Sequence, residues 1–309
     1  MVRKAMILAA GFGTRLQPLT HVQPKPLVPV CNVPLLGVHL HQLADLGVEE
    51  VMINLHHLPE QIEAELGRGE GYGVGLSYSL EAPEILGTGG GLNKVRAFFE
   101  DEEDFLVLNG DILHGVDLNA AIQRRRDSNA QGTLILREHP GTPGMGFIGV
   151  NADGKVCRVP EMSEDIGGTR RAFSGLHVLT PAIFDFLPEG FGCILRTGYR
   201  GMLEQGMTVT EYLAADAPWI DIGRPASYLQ ANLTPPVPQL QQRSRHGVGV
   251  VIEEGAEVDE NSILGAGVVV RSGAVVQNSV VWAGLEIKAG ERLVQKIRYE
   301  EGKDVELTE

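Results

Sequence analysis

Near its start the chain sets one arginine and one lysine beside a glycine-rich turn. The run is Ile7-Leu8-Ala9-Ala10-Gly11-Phe12-Gly13-Thr14-Arg15-Leu16-Gln17-Pro18-Leu19-Thr20, followed by Pro24-Lys25-Pro26-Leu27. A short apolar strand entering such a turn points backbone N–H groups inward, and glycine lets a polyphosphate approach with no Cβ in the way. Arg15 and Lys25 then lie in flanking loops as cations for the same phosphates. Pro24 and Pro26 restrict the backbone around Lys25 and aim it. An ordinary strand-turn is the bland alternative for an isolated Gly-x-Gly, but here the turn is joined to Thr-Arg-Leu, Pro-Leu-Thr and Pro-Lys-Pro.

Two commoner phosphate motifs do not fit. A dinucleotide fingerprint wants a third glycine where Leu16 stands and a helix opening from the turn. A Walker loop needs Gly-Lys-Ser/Thr at a fixed distance, and the chain has none. Acids stand at two further places. The apolar run Phe105 to Leu108 ends at Asn109-Gly110-Asp111, and a second one reads Trp219-Ile220-Asp221-Ile222-Gly223. Ligands of open α/β sheets bind at such strand ends, and magnesium is satisfied by a pair of carboxylates with phosphate and water oxygens. A turn-forming aspartate is the structural alternative for each.

With these residues in order, the chain resembles the sugar-1-phosphate nucleotidyltransferases, or nucleotide-sugar pyrophosphorylases, from residue 4 to about residue 232. In look it is nearest to mannose-1-phosphate guanylyltransferases and N-acetylmuramate-1-phosphate uridylyltransferases. The resemblance implies an α/β, three-layer, Rossmann-like nucleotide-diphospho-sugar transferase domain. It implies joining of an NTP to a sugar 1-phosphate with release of pyrophosphate. Ala9, Ala10, Gly11, Gly13, Thr14 and Arg15 would bind the nucleotide, with Arg15 on the β and γ phosphates and Lys25 on the α-phosphate. Asp111 and Asp221 would hold Mg²⁺, and Arg15, Lys25 and Asp111 would be catalytic.

By the same resemblance, Glu81 to Gly91, with Gly87 among them, is the base-reading loop. One carboxylate can accept both donors of a guanine edge, so Glu81 points to GTP and the pair GTP with mannose 1-phosphate is expected. Uridylyl or thymidylyl transfer to another hexose 1-phosphate is the runner-up. Asn109, Gly146 in Met145-Gly146-Phe147, and Glu161 are the expected sugar contacts. Where relatives carry Glu-Lys-Pro, with its lysine on the sugar phosphate, this chain reads Val159-Pro160-Glu161-Met162. Arg170, Arg171, Arg196 and Arg200 are the cations available instead. A regulatory paralogue that binds a nucleotide sugar without catalysis is the competing class, favoured by the missing lysine and opposed by Arg15, Lys25, Asp111 and Asp221. A nucleotide-sugar-using glycosyltransferase is disfavoured because Asn109-Gly110-Asp111 stands where Asp-x-Asp would.

The elements that must carry these residues alternate. The pattern predicts a helix over residues 38–46 capped by Gly47, a strand over 51–55, a helix over 59–66, a strand over 75–80 and a helix over 88–99. Residues 132–180 are broken by Gly and Pro and read as antiparallel. Proline and glutamine from Pro235 to Gln242 mark a boundary, giving a catalytic domain over 1–236 and a tail over 237–309. In the tail a six-residue period puts Ile252, Val258, Leu264, Val270, Val276, Trp282 and Val294 in one column, and Ile263, Val269, Val275, Val281, Ile287 and Leu293 one residue earlier. Gly255, Gly267 and Gly273 recur with it. This array fits a short parallel β-helix, of the left-handed kind by resemblance, ending near Lys288 and expected to dock on its own catalytic domain or, in a homo-oligomer, on another subunit. His246 reads as a linker residue rather than an acyltransferase base.

The chain has 309 residues, 43% hydrophobic content and a net charge of -14, which disfavours nucleic acid and anionic membrane as partners. The apolar run after Arg3-Lys4 is too short for a signal peptide, and no stretch is long enough for a membrane span. Cys31, Cys157 and Cys193 are odd in number and widely spaced, so a reducing cytoplasm is expected.

Overall fold

The computed structural model describes residues 1–141, 146–162 and 168–307, so Met145 lies outside the described residues. It divides into two compact units. The first gathers Met1–Gly11, His39–Ile112 and Val116–Ala217, and the second gathers Phe12–Val38, Leu113–Gly115 and Pro218–Glu309. The units therefore do not follow a single cut at the proline-rich boundary, because the stretch that carries Arg15 and Lys25 belongs with the tail.

The first unit is built on a nine-stranded mixed sheet. Four strands run parallel in the order Gly75–Leu80, Glu50–Leu55, Lys4–Leu8, Phe105–Asn109. The continuous apolar character of Ala5 to Ile7 and of Phe105 to Leu108 follows from burial on both faces. Strand order reverses at Lys4–Leu8, and Gly110 N–H donates to the Leu8 carbonyl at 2.9 Å, so Ala9 and Asp111 emerge side by side from adjacent strand ends. Beyond Phe105–Asn109 the sheet turns antiparallel through Thr169–Leu179, which also pairs with Gly132–Glu138 and Ile148–Val150. Phe99 stacks on Phe105 at 4.3 Å between centroids, and Phe184 continues the stack, filling the layer under the sheet.

The helix at Pro59–Leu66 and the strand at Gly75–Leu80 match their expected bounds. The first long helix opens earlier, at Leu35, and ends at Asp45 before Gly47 in the left-handed region at φ 88°. The expected helix over 88–99 is broken at Val95 into Gly87–Lys94 and Arg96–Phe99.

In the second unit the C-terminal residues form three stacks of short parallel strands, as a parallel β-helix requires. Leu264, Val270, Val276, Val281, Ile287 and Leu293 are buried together in its interior. The column thus slips by one residue after Val276, because Val258 stacks under Val276 whereas Leu264 stacks under Val281. Two sequence expectations change with the slip. Trp282 and Val294 leave the inner column, and the coil does not end at Lys288: Ile287 is the inward residue there, and strands Arg292–Val294 and Lys296–Glu300 continue the stack. A final strand, Lys303–Glu306, folds back antiparallel on Lys296–Glu300.

Strand alternation sends Ile263, Val280, Trp282 and Ile297 out of the coil into a second core. There they meet Tyr228 and Leu229 of the helix Pro225–Leu233, and Leu16, Leu19, Val28 and Val30 of the signature segment. Trp282 Nε1 donates to the Tyr228 hydroxyl at 2.9 Å, and that hydroxyl donates to the Pro29 carbonyl at 2.6 Å. Asn232 Oδ1 accepts from Cys31 N–H at 2.8 Å, and Asn32 Nδ2 donates to the Leu264 carbonyl at 3.2 Å. Among the described residues, no helix is long and apolar enough to cross a membrane.

Candidate active site

In the first unit, the strand Lys4–Leu8 delivers Ala9 and Ala10, both buried, and then the exposed Gly11. A Cβ built at Gly11 meets nothing within 4 Å, so the space over this turn is open. Ala9 N–H donates to Asn54 Oδ1 at 2.7 Å, and Asn54 Nδ2 donates to Glu81 Oε1 at 2.7 Å. Glu81 Oε2 accepts Leu86 N–H at 2.6 Å. Glu81 is only 1% exposed, with its carboxylate turned inward onto Asn54 and the Leu86 N–H. Gly87, next in the loop, sits at φ 68°, where a Cβ would come within 2.7 Å of the Gly192 carbonyl oxygen.

Asn109 ends its strand half-buried, and Gly175 at φ 89° makes room for it, since a Cβ there would lie 3.0 Å from Asn109 Nδ2. Asp111 follows, with His39 fully buried behind the same turn. Burial pushes the His39 imidazole down to about 4, while the Asp111 charge and a hydrogen bond with the Gly110 backbone pull the other way. Gly146 is open, its nearest neighbour for a Cβ being Pro160 at 3.9 Å. Phe147 is flanked by two guanidinium groups, Arg158 at 3.9 Å and Arg170 at 4.4 Å from the ring centroid. Arg158 also donates to the Phe147 and Met162 carbonyls, fastening the two sugar-side segments to each other.

Glu161 is exposed, at φ 71°, and pairs with Arg196 at 3.1 Å. Of the four arginines considered for the sugar phosphate, Arg171 is held by Glu138 and Glu211, Arg200 by Glu204, and Arg170 lies over Phe147. Arg196 is the one brought to Glu161.

In the second unit, Arg15 stands on the 3₁₀ turn Thr14–Leu16 and Lys25 on the 3₁₀ turn Lys25–Leu27. Arg15 Nη1 is 3.7 Å from Asp221 Oδ2, the strand Trp219–Asp221 having delivered the acid to it. Gly223 admits the pair: a Cβ there would fall 2.8 Å from Asp221 Oδ1 and 3.0 Å from Arg15 Nη2. Lys25 is 9% exposed, an unusual burial for a lysine. Its stem packs on Gly13, at φ 65°, where a Cβ would come within 3.0 Å of Lys25 Cβ and 2.9 Å of Thr20 Cγ2. Thr20 Oγ1 donates to the Gly13 carbonyl at 3.0 Å, closing the turn on which Thr14 is exposed. Gly13 is therefore needed for backbone shape, whereas Gly11 faces open space.

For a divalent cation, no group of three or more His, Cys, Asp or Glu side chains is assembled among the described residues. Asp111 in the first unit and Asp221 in the second each offer hard oxygen donors of the type magnesium takes. Asn54, Arg158 and His39 were missed at the sequence level. A lone polar residue in the buried run Val51 to Leu55 was the available signal for Asn54.

A family model described as nucleotidyl transferase matches residues 4–235. The chain is 36% identical, over 71% of its length and 93% of the relative, to an N-acetylmuramate alpha-1-phosphate uridylyltransferase of Neisseria meningitidis. It is 29% identical, over 95% of its length and 86% of the relative, to a UTP--glucose-1-phosphate uridylyltransferase of a Synechocystis strain. It is also 29% identical, over 93% of its length and 81% of the relative, to a mannose-1-phosphate guanylyltransferase of Mycobacterium tuberculosis.

Proposed function

The chain belongs to the nucleotidyl transferase family, and from that membership we propose that it transfers a nucleotidyl group from GTP to mannose 1-phosphate. An oxygen of the sugar phosphate attacks the α-phosphorus, a new P–O bond forms, the α–β bridging P–O bond breaks, and pyrophosphate leaves with the electron pair. Two anions must meet, so positioning and charge neutralisation carry the catalysis. The observation that bears the reading is Lys25, buried against Gly13 on the same turn system as Arg15. Lys25 meets the negative charge that builds at the α-phosphate, and Arg15 holds the β and γ phosphates. Asp111 and Asp221 would hold Mg²⁺, which when bound would supply further neutralisation of phosphate charge. Asn109, Gly146 and Glu161 orient the sugar, and Arg196 beside Glu161 supplies the cation that lysine gives in relatives.

Support for guanine and mannose is the Mycobacterium relative, which is 29% identical over 93% of this chain. The uridylyltransferase relatives favour a second reading, UTP with another sugar 1-phosphate. The tail is proposed to be a left-handed coil that joins copies of the chain, because Val248, Val251 and Ile252 of its first turn are exposed. A cytoplasmic reaction is part of the proposal, supported by three widely spaced cysteines of the kind a reducing compartment keeps free. Pyrophosphate release across four NTPs and several sugar 1-phosphates, with and without Mg²⁺, tests all of this. Highest turnover with GTP and mannose 1-phosphate is expected; a UTP maximum selects the second reading. Absence of turnover with every pair, together with nucleotide-sugar binding, would establish a regulatory protein instead.

A further inference from the structure

We propose that Glu81 is a positioning residue, the middle of a buried strut that ties the phosphate turn to Leu86 at the entrance of the helix Gly87–Lys94, and not a reader of the nucleotide base. The strut is a chain of complementary polar groups. Ala9 N–H donates to Asn54 Oδ1, Asn54 Nδ2 donates to Glu81 Oε1, and Leu86 N–H donates to Glu81 Oε2, at 2.7, 2.7 and 2.6 Å. Asn54 is 3% exposed and Glu81 1%, so no water competes for these bonds. Glu81 is fixed by its backbone as well: its N–H donates to the Leu55 carbonyl at 2.7 Å, and its carbonyl lies 2.7 Å from His56 Nδ1.

The glycine run near the start of that helix is shaped around this strut. A Cβ at Gly91 would fall 2.4 Å from Glu81 Oε1 and 3.0 Å from Asn54 Nδ2, so only glycine leaves the carboxylate in place. Gly89 and Gly90 answer to another neighbour, the 190–194 segment. Gly89 N–H donates to the Gly192 carbonyl at 2.8 Å, and a Cβ at Gly90 would strike the Gly190 oxygen at 2.0 Å. The Thr88-Gly89-Gly90-Gly91 motif is thus accounted for by packing around the strut and against residues 190–194.

Hydrogen-bond polarity supplies the test. In Glu81→Gln one of the two donors, Asn54 Nδ2 or Leu86 N–H, faces another donor. In Asn54→Asp two carboxylates face each other across the former hydrogen bond. The exchanged pair, Asn54→Asp with Glu81→Gln, restores every bond with the central donor reversed. The new amide at position 81 donates to the new carboxylate at position 54, that carboxylate accepts Ala9 N–H, and the amide oxygen accepts Leu86 N–H. Hydrogen exchange of peptides containing the Ala9 and Leu86 amides is measured alongside KM and kcat for each NTP. Each single substitution is expected to speed exchange at both places and raise KM for every NTP by a common factor of about ten. The exchanged pair is expected to recover protection and most of the KM, with the ranking of NTPs constant throughout.

A changed NTP ranking in Glu81→Gln that the exchanged pair does not repair would assign the carboxylate to the base and overturn the proposal. Unaltered amide exchange in both single variants would also overturn it. Should the exchanged pair not fold, Glu81→Asp carries the test, since shortening the acid must loosen Leu86 while leaving the ranking alone. The kinetic arm rests on the transfer reaction proposed above, whereas the exchange arm does not. A wild-type protein with no turnover would therefore remove the reaction while leaving the strut open to measurement.

Discussion

Lys25 owes its importance to where its charge sits. In the proposed reaction this cation, 9% exposed, would neutralise a phosphate in low dielectric, where the interaction is far stronger than in water. Replacing it with Met keeps the stem that packs on Gly13 and removes the charge, so kcat is expected to fall by roughly 10²–10³ with little loss of stability; thermal unfolding and steady-state kinetics on the same sample check both halves. His177 gives a separate residue-level prediction. Its Nδ1 is 2.9 Å from the Tyr199 hydroxyl, and burial pushes the imidazole down from 6.5 to about 3. The unfolded chain therefore binds a proton below about pH 6.5 that the folded chain refuses, so stability is full above that value and declines as pH falls toward 3. Between pH 7 and pH 5 this residue costs about 2 kcal/mol of stability, and denaturant titrations should show a shallower loss in His177→Gln. Equal slopes in the two proteins would dismiss the idea. At this scale the sequence exposed charged residues beside glycine and proline, because their chemistry is local. It hid Asn54, whose meaning comes from Ala9 and Glu81, distant in the chain and adjacent only after folding.

Elements were legible where one periodicity dominated, as in Pro59–Leu66 and Gly75–Leu80. The tail's hexads were legible as a repeat but not in register, because apolar residues fill two neighbouring columns and a deletion of one residue moves the interior from one to the other. Asn278, at φ 46°, sits at that slip. The outward column has its own task, since Ile263, Val280, Trp282 and Ile297 cover the helix Pro225–Leu233 and the signature segment. Trp282→Phe keeps an aromatic ring and deletes the donor to Tyr228, which should cost about 1 kcal/mol and lower the melting temperature by about 2–4 °C. Because Tyr228 in turn holds the Pro29 carbonyl, a modest rise in KM for the NTP is expected with it. An unchanged melting temperature would mean that water replaces the indole N–H.

At the scale of the whole molecule, the two compact units cut across the boundary that composition suggests. Proline and glutamine mark where the chain changes pattern, whereas long-range burial decides which segments fold as one. A chain shortened to residues 1–236 would expose Leu16, Leu19, Val28 and Tyr228 to water. At about 1.5–3 kcal/mol for each large side chain uncovered, the loss rivals the ~5–15 kcal/mol that holds a typical protein folded. The shortened chain is expected to aggregate or to unfold at much lower denaturant than the full one. For the proposed assembly, Val251→Glu with Ile252→Glu is expected to abolish self-association in analytical ultracentrifugation without altering the melting of the coil interior; an unchanged mass would overturn this contact. The grouping of residues 12–38 with the tail also bears on descent. Recombination at the proline-rich joint would leave a borrowed tail facing a stranger, so a viable chimaera must inherit both pieces from the same parent.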